Sequence, residues 1–338
     1  MPRQRRPRRH GTDRSTAQIL TIGVDVGGTK VFAVALDDGG SIAAADRVPT
    51  PAGGDAIVDA IATVAATVME QSGPVQAVGV GMPGLMEKSG VLRFAPNLPG
   101  VIEYDVRGAL ATRLPAGLPL ALDNDATCAG LGEWAHGAAR GVDDAVLITL
   151  GTGIGGGIVL GGRPFRGANG FAGEVGHMVV DPHGPPCPCG KRGCWERYSS
   201  GSGLGRLARE AALAGQAARV VALAGGDPEA VRGEHVVRAA VEGDAPARAV
   251  IAEFGWWLAL GLANLANIFD PQRFVLGGGL VAAGDLLFEP ARASFAALVE
   301  AHEHRPPIDI VPAQLGEQAG AIGAAVLARG LVGAGSAP

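Results

Sequence analysis

Apolar residues run along this chain in short blocks, and most blocks end in glycine or in acid. Residues 19–26 form a β-rich run closed by Gly27-Gly28-Thr29, residues 31–36 form a second, and Asp38-Gly39-Gly40 turns the chain again. Two such runs joined through glycines predict a hairpin. Helical periodicity covers 57–70, and a short apolar strand at 75–80 ends in Gly81-Met82-Pro83-Gly84. A loop then carries Asn97-Leu98-Pro99-Gly100. A strand at 118–122 ends in Asp123-Asn124-Asp125, and a helix is expected from about 126 to 136.

The pattern then restarts. A strand at 145–150 meets a glycine turn at 151–157 and a partner strand at 158–160. Helices are expected from about 204 and over 247–269. A strand at 274–276 enters Gly277-Gly278-Gly279, and a last helix, rich in small residues, covers about 318–327. A hairpin with a glycine turn thus opens each half. This weak duplication predicts two related α/β domains facing each other across a cleft. The N-terminal α/β domain is expected over 19–134, with helix 316–330 packing back on it, and a larger C-terminal α/β domain over 135–315.

Composition narrows the class. The 338 residues suit two domains, and 47% hydrophobic content is enough for sizeable cores. The net charge of −5 speaks against general nucleic-acid affinity. The apolar stretch 255–269 is too short to span a bilayer and holds Asn264 and Asn267, so it reads as a buried helix, with no membrane contact. Residues 1–18 differ: six arginines crowd a stretch almost free of apolar side chains, as in a solvated, disordered arm. That arm is too short and polar for a folded DNA-binding domain. The cysteine pattern, without a secretory signal, favours the cytoplasm.

The chemistry concentrates at 173–196, G-E-V-G-H-M-V-V-D-P-H-G-P-P-C-P-C-G-K-R-G-C-W-E. Cys187, Cys189 and Cys194 with His177 make a complete tetrahedral zinc shell, the mark of a structural ion. A redox or inert thiol cluster is the alternative reading. Glu174 and Glu196 bracket the ligands, so a metal-pinned loop would fix two acids, as a site for a hydroxyl-rich ligand requires. Cys128 reads as a small core residue, and His183, His235, His302 and His304 as surface residues.

Two further loops suit phosphate. Asp25-x-Gly27-Gly28-Thr29-Lys30 and Gly151-Thr152-Gly153-x-Gly155-Gly156-Gly157 both let backbone N–H groups point at an anion. Asp25 at a strand end could hold Mg²⁺ directly or through water. The second loop also fits G-x-G-x-x-G, but a returning strand follows it where the dinucleotide fingerprint needs a helix. Asp123-Asn124-Asp125 lies at a strand's C-terminal end, where open α/β folds place ligand groups. A carboxylate there could accept a proton from a hydroxyl, or Asp123 or Asp125 could merely cap the next helix. Asn97 could bond a polar ligand or serve only its turn.

Together, D-V-G-G-T-K, L-D-N-D-A, L-G-T-G-I-G-G-G, G-E-V-G-H and C-P-C-G-K-R-G-C-W-E, in this order, resemble the ROK family of repressors, open reading frames and sugar kinases. The resemblance runs from about residue 19 to 330. Within the family the chain is most similar to bacterial glucokinases, through Asn97-Leu98-Pro99-Gly100 and Cys194-Trp195-Glu196-Arg197-Tyr198. It implies an actin-like ATPase (ribonuclease H-like) α/β fold and a homodimer or homotetramer. It implies Asp125 as general base, with Gly84, Asn97, Asn124, Asp125, Glu174, His177 and Glu196 about the sugar. ATP would lie on Asp25, Gly27, Gly28, Thr29, Lys30, Gly151, Thr152, Gly153, Gly277 and Gly278, and zinc on His177, Cys187, Cys189 and Cys194. The expected reaction moves the γ-phosphate of ATP to the 6-hydroxyl of glucose. N-acetylglucosamine, N-acetylmannosamine and fructose are alternative acceptors, and polyphosphate an alternative donor. A sugar-responsive repressor is the rival from another class, and it would need a DNA-binding domain ahead of the first strand.

Overall fold

The computed structural model describes residues 19–334, so the basic arm at 1–18 lies outside the described residues. The first unit opens with a meander of β1 (Thr21–Val26), β2 (Lys30–Leu36) and β3 (Ile42–Pro49), then α1 (Gly54–Ser72) and β4 (Ala77–Met82). A small antiparallel pair, β5 (Val91–Phe94) and β6 (Ile102–Asp105), and short α2 (Val106–Ala111) follow. β7 (Leu120–Asn124) then runs without a loop into α3 (Asp125–His136). The second unit has β8 (Ala145–Leu150), β9 (Ile154–Leu160) and β10 (Arg163–Pro164). A helical block follows: α4 (Glu196–Ser199), α5 (Gly201–Leu213), α6 (Ala218–Leu223), α7 (Gly233–Val241) and α8 (Ala245–Phe269). It closes with β11 (Arg273–Gly277), α9 (Asp285–Leu298) and β12 (Asp309–Pro312), and α10 (Ala319–Ala334) is the last described element.

The two large sheets have one topology. Their orders are β3-β2-β1-β4-β7 and β10-β9-β8-β11-β12. In each, the first three strands pair antiparallel and the last two add in parallel. The duplication faint in the sequence is therefore complete in the strand order. This is the actin-like ATPase (ribonuclease H-like) arrangement that the motifs implied.

Burial explains the layering. β4 is buried throughout and β1 nearly so, because helices cover both faces of the first sheet. Ile57, Ile61, Val64 and Val68 of α1 fill one side with Val24, Val26 and Val80. On the other side the Ala/Gly-rich α10 lies so close that Gly23 and Gly79 have no room for a Cβ beside the carbonyls of Ala321 and Ala324. α3 packs against α10 and, on its other flank, against β9. Fully buried Glu133 of α3 ties two chain crossings together. Its carboxylate accepts the N–H groups of Ala138 at 2.7 Å, Gln314 at 3.0 Å and Leu315 at 2.8 Å.

Several elements differ from the expectation. The glycine turn expected over 151–157 is short: Gly155, Gly156 and Gly157 lie inside β9. Their missing side chains let α3 approach, since a Cβ on Gly157 would stand 3.0 Å from the Cα of Gly130. β3 was not anticipated; its sequence IAAADRVP alternates between half-buried and exposed at a sheet edge. β5 and β6 occupy what read as one loop. His235 is half-buried, not free on the surface: its Nδ1 accepts the Arg232 N–H at 3.1 Å at the head of α7. Cys128 is a core residue, as expected. α8 is long and apolar enough to cross a bilayer by length and composition, yet Phe254, Leu258, Leu262 and Ala266 are buried in the second core. It is a core helix.

Candidate functional site

Asn124 caps α3. Its Oδ1 accepts the N–H groups of Ala126 (2.9 Å) and Thr127 (3.1 Å), and its Nδ2 donates to the Gly84 carbonyl (3.1 Å). The cap considered for Asp123 or Asp125 is thus made chiefly by Asn124. Asp125 is the first residue of α3, with Oδ1 accepting the Ala126 N–H at 2.8 Å. Burial pushes its carboxyl above the usual range, and the bonds from Ala126 and Asn124 only partly oppose that.

Asp25 stands at the penultimate position of β1. Burial pushes its carboxyl up to about 7, the charge of Asp125 adds to the rise, and Lys30 opposes it. A Cβ on Gly320 of α10 would lie 2.5 Å from its Cγ, so the carboxylate is backed by bare helix backbone. The adjoining turn is tight: Gly27 N–H donates to the Lys30 carbonyl (2.8 Å), and the Thr50 hydroxyl donates to the Gly27 carbonyl (2.7 Å). Thr29 accepts the Thr50 N–H at 3.1 Å. The Lys30 ammonium pairs with Glu317, an exposed contact worth little in stability. Exposed Asn97 lies over this turn, its carbonyl 3.6 Å from where a Cβ on Gly28 would be.

The knuckle forms as the residue types demand. The Sγ atoms of Cys187, Cys189 and Cys194 and a ring nitrogen of His177 all lie within 4.8 Å of one another. Cys189 and Cys194 sulfurs are 3.5 Å apart, and Cys187 Sγ is 3.9 Å from His177 Nδ1. A disulfide would need about 2.05 Å. A tetrahedral Zn²⁺ with Zn–S near 2.3 Å and Zn–N near 2.1 Å puts its ligand atoms roughly 3.5–3.8 Å apart, so the residues fit the ion. Burial also pushes the Cys187 and Cys194 thiols up, a cost that a bound cation reverses. The other ring nitrogen of His177, Nε2, lies 3.8 Å from Glu174 Oε2. Fully buried Trp195 bolts the knuckle to α8, its indole N–H donating to the Trp257 carbonyl at 2.9 Å.

The second glycine turn sits against that knuckle. Gly151 N–H donates to the Gly153 carbonyl (3.1 Å), and the Gly151 carbonyl accepts the Gly201 N–H (2.8 Å) at the head of α5. The Ser202 hydroxyl donates to the Thr152 carbonyl. Gly277 ends β11, and Gly278, at φ 86°, packs on the end of β8, where a Cβ would stand 2.5 Å from the Leu150 carbonyl oxygen.

Asp125 links these pieces. Its charge reaches Asp25 on one side and Glu174 on the other. Burial first, then Asp125 and Glu196, push the Glu174 carboxyl up, and His177 opposes them. The expected acids and glycine turns of both units therefore meet in one region. Sequence reasoning missed Arg166, Ser202, Glu317 and Trp257. Half-buried Arg166 forms an ion pair with fully buried Asp123, its Nε 2.8 Å from Oδ2, with the N–H not aimed at that oxygen.

A model of the ROK family matches residues 21–330, and the chain belongs to the ROK family. The glucokinase of Streptomyces coelicolor is 42% identical over 313 residues, spanning 92% of this chain and 98% of its own. The glucokinase of Thermotoga maritima is 37% identical over 321 residues, spanning 94% and 99%. Among solved structures, a ROK family glucokinase from Streptomyces griseus in complex with glucose and AMPPNP aligns with a TM-score of 0.78 at 42% identity, over 92% of this chain and 99% of that one.

Proposed function

We propose that this chain is a glucokinase that transfers the γ-phosphate of ATP to the 6-hydroxyl of glucose. One observation carries the reading: Asp125, a half-buried carboxylate without a cation partner among its described contacts, lies within electrostatic reach of both Asp25 at the first glycine turn and Glu174 beside the metal knuckle. A base so placed accepts the hydroxyl proton as that oxygen attacks the terminal phosphate, and the rest of phosphoryl transfer is positioning and charge neutralisation.

Asn97, Asn124, Glu174, His177 Nε2 and Glu196 present groups to the other sugar hydroxyls, around the Gly84 turn. Carboxylates accept two hydroxyl bonds each and so discriminate stereochemistry. The turns at Gly27-Gly28-Thr29-Lys30 and Gly151-Thr152-Gly153, with Gly277 and Gly278, offer backbone to ATP. Asp25 would hold Mg²⁺, which neutralises phosphate charge. His177, Cys187, Cys189 and Cys194 would hold zinc, whose part is to fix Glu174 and Glu196. The two units act as domains divided near residues 134–135 and 315–316. All four cysteines are free thiols, in keeping with a reducing cytoplasm.

The test is ADP release over a panel of glucose, fructose, N-acetylglucosamine and N-acetylmannosamine, with ATP or polyphosphate as donor. Glucose with ATP should give the highest kcat/KM. A preference for an N-acetylhexosamine would move the proposal to another sugar kinase, and no hexose-dependent turnover would end it.

A further inference from the structure

The segment 166–173 belongs by sequence to the second unit and ends with Gly173 packed on Gly156 of β9, yet residues 166–170 are fastened to the first. Arg166 Nε lies 2.8 Å from Oδ2 of fully buried Asp123, and its Nη2 donates to the Leu122 carbonyl at 2.9 Å. The Lys88 ammonium donates to the Gly167 carbonyl, and the Lys88 backbone N–H donates to Asn169 at 3.0 Å. Gly170 abuts the Met86 carbonyl, where a Cβ would stand 2.6 Å from the oxygen. This strap leads directly into Glu174. From its other end, Asp123 accepts the Asn124 N–H at 2.9 Å, and Asn124 caps the helix that starts at Asp125.

We propose that Arg166 is a positioning residue for phosphoryl transfer: its pair with Asp123 sets the spacing between the Asp125 carboxylate and the Glu174 carboxylate across the two units. The inference rests on the hexose reading of those two acids. It goes beyond it by assigning a role to a pair that touches no reacting atom. Geometry supports a role beyond packing. An ion pair whose carboxylate is fully buried is seldom the most stable filling of its space, because well-packed apolar residues of similar volume do as well or better. What the planar guanidinium adds is a fixed fork, one nitrogen at the Asp123 carboxylate and another on the Leu122 carbonyl, that an apolar filling would not reproduce.

That difference gives the test. Arg166→Met strands the Asp123 charge, so it should lower Tm and raise the KM for glucose. Arg166→Met/Asp123→Leu removes both charges and should recover most of the Tm, while the KM for glucose stays raised by roughly tenfold or more, since small misplacements near the chemistry cost about that. The KM for ATP should stay within about twofold, because the strap meets the second unit at Gly156 inside β9 and not at the Gly151-Thr152-Gly153 turn. Arg166→Lys, which keeps the charge but loses the fork, should hold its Tm and still raise the glucose KM several-fold. A double variant with recovered Tm and normal glucose KM would overturn the proposal, as would normal glucose KM in Arg166→Lys. If the wild-type chain showed no hexose-dependent ADP release, the kinase reading would fall instead, before any variant was compared.

Discussion

A Cβ on Gly153 would stand 2.6 Å from Oε2 of Glu196. The second glycine turn and the second acid of the knuckle are thus in contact through a missing side chain. Glu196 also accepts from Cys187 Sγ at 3.0 Å and faces His177 Nδ1 at 3.6 Å, so it is held from behind and cannot simply retreat. Gly153→Ala should therefore displace the carboxylate or open the turn. The KM for both glucose and ATP should rise, by about tenfold each. Steady-state kinetics at saturating partner substrate would check this, and unchanged KM values would show the contact to be slack.

Asp125→Asn removes the proposed base while keeping shape. It should cut kcat by a factor on the order of 10² or more. Glucose KM should change little, because the amide still fills the head of α3. Burial raises the Asp125 carboxyl, so the wild-type rate should climb with pH as that group loses its proton and level off above it. The asparagine variant should lose that acid limb. A variant that retained both turnover and pH dependence would assign the proton to another group.

Much of this site was readable in the chain because its chemistry restricts residue type. The backbone cradle proposed for phosphate favours glycine, so Gly27, Gly28 and Gly153 stand out. A thiolate metal shell must be built from cysteine, and Cys187, Cys189 and Cys194 are close in sequence. Asp123-Asn124-Asp125 showed a polar cluster at a strand end, though not that Asn124 takes the cap while Asp123 turns to an ion pair. What stayed hidden was long-range or unpatterned. Nothing marks Arg166 as the partner of a residue 43 positions earlier. The alanines of β3 carry weak strand propensity at an exposed edge. Gly156 and Gly157 read as turn residues because a glycine that admits a crossing helix looks the same in sequence as one that makes a turn.

Removing a metal ligand separates the roles of knuckle and glycine turns. Cys189 is the exposed member of the cluster, so Cys189→Ser disturbs packing least. The variant should bind less zinc by elemental analysis, and its KM for glucose should rise roughly tenfold or more, the range seen when a metal site loses support. The KM for ATP should move less. Chelation of the wild-type protein should reproduce the same split. A zinc-free protein with normal glucose KM would remove the metal from the account of Glu174 and Glu196.

Asp25 carries a cost that pH exposes. Its carboxyl sits at about 7 in the folded chain against 3.8 for an aspartate free in water, first through burial and then through Asp125. Between those values the folded state keeps a proton that the unfolded state releases. Stability is therefore lost as pH rises from about 4 to about 7, and the full penalty stands above 7. Asp25→Asn lifts that penalty. In EDTA and without nucleotide, the variant should melt a few degrees above wild type at pH 8, with the gap closing as pH falls toward 4. The same variant should lose most of its turnover at any pH, since an amide is a poor ligand for the magnesium of a phosphoryl donor. Calorimetric melting across pH 4 to 8.5 would decide it. Equal melting temperatures at pH 8 would mean that Asp25 is solvated rather than held charged in a dry pocket.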